Sequence, residues 1–251
     1  MRDRDTAIGG GAGRFPDTRH SAVLAARSED PRVREEAIGA IIAAYWKPAY
    51  KYLRIRWRLP NEEAKDAVQG FFASALERGL LERYEPSRGS FRGYLRLCLD
   101  SFASNERKAA GRQRRGGETK TLPLEFEDAE GELASLEIPS PLDPEDYFRR
   151  EWVRSLFGLA VEALRGHLEA KGRPQWFLIF ERYEIGTEDH PGRPSYAELA
   201  EAFGTTTTNI TNHLAAARRE FRRILLEMLR EITADEAEFH SEARELLGGG
   251  D

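Results

Sequence analysis

The sequence holds a single cysteine, Cys98, among 251 residues. An intramolecular disulfide is excluded, and so is a metal centre built on several thiolates. This suits a reducing cytoplasm. No run of about eighteen apolar residues occurs, so no membrane span is expected. The opening MRDRD lacks the apolar centre of a secretion signal, and residues 1–20 read as a disordered lead-in. The histidines, His20, His167, His190, His213 and His240, have no metal-ligand spacing. There is no Gly-x-x-x-x-Gly-Lys phosphate cradle, and the glycine run Gly9–Gly13 precedes no strand. Polar–apolar alternation of any length is missing too. The expectation is a protein that is not an enzyme, has no cofactor or metal, does not engage a membrane and is cytoplasmic.

Charge is present in quantity but segregated. The chain is 40% hydrophobic and 32% charged, with a net charge of −5 that at first speaks against nucleic acid. From Arg92 to Arg115, however, stand Arg92, Arg96, Arg107, Lys108, Arg112, Arg114 and Arg115 against only Asp100 and Glu106. From Glu118 to Asp146 the only base, Lys120, faces a series of carboxylates, and a basic cluster returns at Arg218, Arg219, Arg222 and Arg223. Local patches of this kind, rather than net charge, decide phosphate binding.

Apolar residues recur at helical spacing almost throughout. Arg32 to about Trp57 reads as a helix that Pro48 should kink or split. Asn61 and the acidic Glu62 and Glu63 suit the start of a second helix, with Gly79 as its C-terminal cap. After a turn-rich loop, Ser90 can cap a third helix that runs into the basic tail. The segment 117–142 is acidic and proline-interrupted and reads as a flexible linker. Asp143-Pro144 begins another helix, and Pro174 a shorter one. An all-α fold follows, with two small helical bundles on either side of an acidic flexible linker. The division is 1–20, 21–116, 117–142, 143–233 and a tail, 234–251, that can form a short amphipathic helix.

The C-terminal bundle contains a helix-turn-helix pattern. Ser195 and Glu198 have capping-box spacing, Gly204 supplies a turn, and Thr206 is the expected cap of the second helix. That helix buries Ile210, Leu214, Ala217, Phe221, Ile224 and Met228. Its other face presents Thr207, Thr208, Thr211 and Asn212, followed by Arg218, Arg219 and Arg222. Hydroxyls and an amide can read base edges in the major groove while arginines hold phosphates. The plainer reading is two amphipathic helices joined by a Gly-Thr turn.

Four blocks together resemble bacterial RNA polymerase sigma factors. Residues 61–72 (NEEAKDAVQGFF) resemble the family's polymerase-binding helix, and 90–96 (SFRGYLR) the next helix, whose end is basic. Residues 194–204 (PSYAELAEAFG) and the helix containing Ala217-Arg218-Arg219 resemble its C-terminal domain. Order and separation also match, most closely for the two-domain extracytoplasmic-function (ECF) type. Thr18 to Ser21 (TRHS) and Tyr45 to Pro48 (YWKP) further resemble a long-loop subgroup.

The resemblance implies a factor that binds core RNA polymerase, at its large-subunit clamp and flap, and directs transcription initiation on promoter DNA. Glu63, Asp66 and Gln69 fall at the clamp-contacting positions, where Lys65 departs from the usual acidic residue. Tyr84, Arg88, Phe91 and Tyr94 fall where the downstream promoter element is opened, although Phe91 and Tyr94 suit a core equally well. Arg107, Lys108, Arg112, Arg114 and Arg115 would follow the duplex backbone. Asp100-Ser101 replaces a common Arg-Asn step. Candidate regulators are an anti-sigma factor or a Ser/Thr kinase; phosphate within Thr205–Thr208 would repel DNA. The competing readings are a stand-alone helix-turn-helix repressor or activator, which would need its own dimer, and a helical adaptor that binds no DNA.

Overall fold

The helical periodicity of the sequence is realised in space. The computed structural model describes residues 21–77, 79–110, 124–134, 143–186 and 193–248, and among these it has ten α-helices and no strand. They are α1 (Ala22–Ala25), α2 (Pro31–Arg56), α3 (Asn61–Glu77), α4 (Phe91–Ala110), α5 (Phe126–Ala134), α6 (Pro144–Ala170), α7 (Pro174–Phe180), α8 (Tyr196–Ala202), α9 (Thr207–Glu231) and α10 (Glu236–Gly248).

Local chemistry sets many of these boundaries. Asp30 and Asp143 each cap a helix whose first residue is proline, their carboxylates accepting from the Arg32 and Glu145 N–H groups. Gly79 follows α3 at φ 60°, a conformation that glycine adopts without a Cβ clash. Pro48 does not split α2: the helix is continuous through it and the ring is buried. The missing N–H is tolerated because α3, α5 and α6 all pack on α2 and hold it in register.

The long helix α6 organises the core. Its first half lies on α2, where Tyr45 stacks on Trp152 at 6.2 Å and Tyr52 meets Phe148 edge-on at 5.5 Å. Between these aromatic pairs, Lys51 reaches Glu151 at 2.9 Å, both side chains almost wholly buried. Its second half lies on α9, where Phe157 packs on Phe221 at 5.7 Å. One apolar cluster therefore runs from α2 through α6 to α9, and a smaller one, Ile179, Leu199, Ala200, Ile210 and Leu214, joins α7, α8 and α9.

The acidic segment expected as a flexible linker contains α5. Phe126, Ala129 and Leu133 repeat at helical spacing and are buried, Phe126 packing edge-on against Trp46 at 5.4 Å. Full burial of a phenylalanine is worth about 1.5–3 kcal/mol. The acids between them find bases on α2: Glu130 pairs with Arg54 at 2.5 Å, and Glu132 with Lys47 at 3.0 Å and Lys51 at 2.5 Å. Opposite charge thus lets a strongly acidic sequence dock as a helix. Residues 117–123 and 135–142 of the expected linker lie outside the described residues.

Candidate nucleic-acid interface

The α8–α9 pair is assembled by short-range polar contacts. The Ser195 hydroxyl accepts from the Glu198 N–H at 3.2 Å, and the Glu198 carboxylate accepts from the Ser195 N–H at 2.7 Å. The bond from the Ser195 N–H to the carboxylate, aided by the Ser195 side chain, holds the Glu198 carboxyl below its ordinary pKa. Gly204 turns the chain at φ 60°. Thr206 then caps α9, its hydroxyl accepting from the Asn209 N–H at 3.2 Å.

Thr207, Thr208, Thr211 and Asn212 are exposed together on the first turns of α9, with Ile210 and Leu214 buried behind them. The Thr211 hydroxyl donates to the Thr207 carbonyl at 3.0 Å, so it is already directed along the helix. Arg219 and Arg222 are exposed further along. Arg218 differs, since its guanidinium is paired with Glu184 at 2.5 Å and lies 5.4 Å from the centre of the Tyr183 ring. Of the expected phosphate anchors it is the one held by another part of the protein. Phe221 and Met228, expected in the core, are half-buried, and Leu225 and Leu229 are buried instead.

Sequence reasoning missed the bases that flank this pair. Arg193 lies over Tyr183 at 4.2 Å, and Arg173 over Trp176 at 4.3 Å. Trp176 in turn stacks on His213 at 5.0 Å. Burial holds His213 below its ordinary pKa, which favours the neutral imidazole at pH 7. Trp176 and His213 are distant in sequence, and only the aromatic residues amid bases in 173–183 signalled the group.

The front face has a different character. Glu63 and Asp66 are exposed on α3 and Gln69 is partly exposed, while Ala64, Val68, Phe71 and Phe72 face the core. Lys65 pairs with Glu62 at 2.8 Å. Phe91 is 0% and Tyr84 2% exposed. The rings of Tyr84, Phe91 and Tyr94 pack together, Tyr84 lying 5.2 Å from Phe91 and 5.3 Å from Tyr94. Tyr84 donates to the Gly89 carbonyl and Tyr94 to the Leu80 carbonyl, each at 2.8 Å. Burial pushes the Tyr94 hydroxyl up to about 12, so it remains a donor at neutral pH.

Arg88, Arg107 and Lys108 are exposed, whereas Arg112, Arg114 and Arg115 lie outside the described residues. Asp100 serves the structure, accepting from the Tyr52 hydroxyl at 3.0 Å and the Trp57 indole at 2.9 Å and pairing with Arg96 at 3.0 Å.

Among the described residues, no group of three His, Cys, Asp or Glu side chains could hold a metal, and no helix is long and apolar enough to cross a membrane. A groove of about 440 Å³ between α1 and the end of α9 includes Leu24, Val33, Arg230 and Thr233 in its lining, and none of the candidate residues. Comparison with models of protein families, with curated proteins and with solved structures finds no match.

Proposed function

We propose that this protein is a sigma factor that binds core RNA polymerase and directs promoter-specific initiation. The observation that carries the reading is the first part of α9. An uncharged, hydrogen-bonding patch, Thr207, Thr208, Thr211 and Asn212, is exposed at the start of a capped helix and followed by exposed Arg219 and Arg222. That is the division of labour needed to read bases and hold phosphates. On this reading α8 and α9 are a helix-turn-helix that meets the upstream element. Helix α4, with the loop before it, meets the downstream element. The α3 face with Glu63, Asp66 and Gln69 meets the polymerase clamp, and its resemblance to the polymerase-binding helix separates a sigma factor from a stand-alone repressor.

The reading also assigns the chain to two functional modules, α1–α4 and α6–α9. Core polymerase would hold them so that both promoter elements are engaged. The test is reconstitution with purified core polymerase on genomic DNA of the source organism. Discrete start sites should appear only when the protein is added, and should weaken when Asp66 is changed to Lys. Specific DNA binding by the free protein, with no start sites in the presence of active core, would favour a repressor and overturn the proposal.

A further inference from the structure

Two of the residues expected to open the downstream element, Tyr84 and Phe91, are in contact with the chain's own C-terminal helix. Glu238 of α10 accepts a hydrogen bond from the Phe91 N–H, at the start of α4, and lies 3.3 Å from the Tyr84 hydroxyl. One turn on, Glu242 takes the Arg92 guanidinium at 3.0 Å, with Arg92 and Glu242 both buried. The same guanidinium lies 5.3 Å from the centre of the Trp152 ring, between α10 and α6. Glu245 adds a longer contact to Arg92 at 3.7 Å and one to Arg149 at 3.9 Å. Phe239, 5% exposed and with its ring centre 4.4 Å from the Arg230 guanidinium, anchors the helix beside them.

These contacts have the chemistry of an anionic strand on a basic, aromatic surface. Carboxylates occupy a helix N-terminus and a guanidinium, both groups that also bind phosphate. The aromatic side chains beneath them are shut away. A single strand needs such rings uncovered, because it binds largely by stacking bases on them.

We infer that α10 is an intramolecular stand-in for nucleic acid. It occupies the surface of residues 84–92 and must leave before that surface can take a single DNA strand. This rests on the sigma reading for the identity of the strand as opened promoter. The apparent affinity of such a surface is its intrinsic affinity reduced by the fraction of molecules in the open form. If about one molecule in ten is open, release of α10 tightens binding about tenfold.

Two full-length variants test this, Phe239→Asp and Glu242→Arg, each opposing docking by different chemistry. Release is read as faster hydrogen exchange at the Phe91 amide. Binding is read with a short fluorescent single-stranded oligodeoxynucleotide, and initiation with core polymerase on genomic DNA. In both released variants the oligonucleotide should bind several-fold tighter and initiation should rise. Unchanged binding with a freely exchanging Phe91 amide overturns the inference. So does saturation of the parent protein by the oligonucleotide without faster exchange in α10. Tighter binding without initiation by parent or variants supports the covering role and counts against the sigma reading. Equal initiation by parent and variants, with no gain in binding, supports the sigma reading and removes the covering role.

Discussion

Changing Lys51 to Met should be among the most damaging single substitutions in this protein. Lys51 is 2% exposed, Glu151 3%, and their charged atoms are 2.9 Å apart between α2 and α6. Methionine replaces the lysine stem at similar volume, so packing changes little and the loss is electrostatic. Removing one partner of a buried pair leaves the other charge uncompensated, at a cost of about 3–5 kcal/mol. Arg154 also pairs with Glu151, which places the expected cost at the lower end of that range. For a chain of this size each kcal/mol lowers the melting temperature by about 2–4 °C, giving a fall of about 6–12 °C for about 3 kcal/mol. Circular dichroism at increasing temperature would measure it. The double variant Lys51→Met, Glu151→Leu should recover at least half the loss, because no charge is then stranded and Glu132 keeps Lys47 at 3.0 Å. A single variant within about 2 °C of the parent, below the shift expected for even 1 kcal/mol, would refute the argument. So would a double variant less stable than the single one.

Arg219→Ala should weaken duplex binding uniformly across sequences and reduce the salt slope by about one, as for loss of a single phosphate contact; an unchanged slope in a salt titration removes that role. Thr211→Val should alter sequence preference more than overall affinity, checked by selection from a random duplex library, and a uniform loss would mark Thr211 as structural. Gly204→Ala forces a side chain onto a residue at φ 60° and should cost about 1 kcal/mol, or about 2–4 °C in thermal unfolding. Acid should undock α5. The Arg54 hydrogen bond holds Glu130 below its ordinary pKa, and Glu132 is also held low because the Lys51 and Lys47 contacts outweigh the opposing effect of burial. A carboxyl depressed in the folded state contributes stability present above its unfolded pKa and lost as pH falls through the folded value. Proton–deuteron exchange across 126–134, corrected for its intrinsic pH dependence, should therefore show loss of protection below about pH 4.5.

What was legible in the sequence was local. Ser195 with Glu198, Thr206, Asp143 with Pro144, and Gly204 each act within a few residues, and each sits where its chemistry requires. The all-α class and the exposed patch on α9 follow from periodicity, which needs no partner to be read. What was not legible depends on residues far apart in the chain. Helix α5 carried its own apolar repeat, Phe126, Ala129 and Leu133, but its charges looked prohibitive until Lys47, Lys51 and Arg54 were found opposite them. Asp100 looked like a departure in a reading helix, and its purpose is visible only through Tyr52 and Trp57. The burial of Tyr84 and Phe91 depends in part on a helix that begins only at Glu236, and no spacing within 84–94 could reveal it.

The contacts of α6 and α10 differ in their balance of apolar and charged groups. Between α2 and α6 the contact is dry and aromatic: Tyr45 on Trp152, Tyr52 on Phe148, and an ion pair sealed between them. Parting those surfaces exposes large rings and strands buried charges, so it needs a partner that covers them again. Helix α10 is held on the start of α4 by carboxylates, while Phe239 fixes it to the apolar core and lies under Arg230 of α9. Burial pushes both Glu238 and Glu242 above their ordinary pKa, Glu242 despite the Arg92 guanidinium beside it. A carboxyl raised in this way favours docking most when protonated, and that contribution is lost as pH rises through the raised value. At neutral pH, α10 is therefore held against the desolvation of its own charges, and water regains them when it leaves. A competing anion would take the place of these carboxylates at the Phe91 N–H and the Arg92 guanidinium.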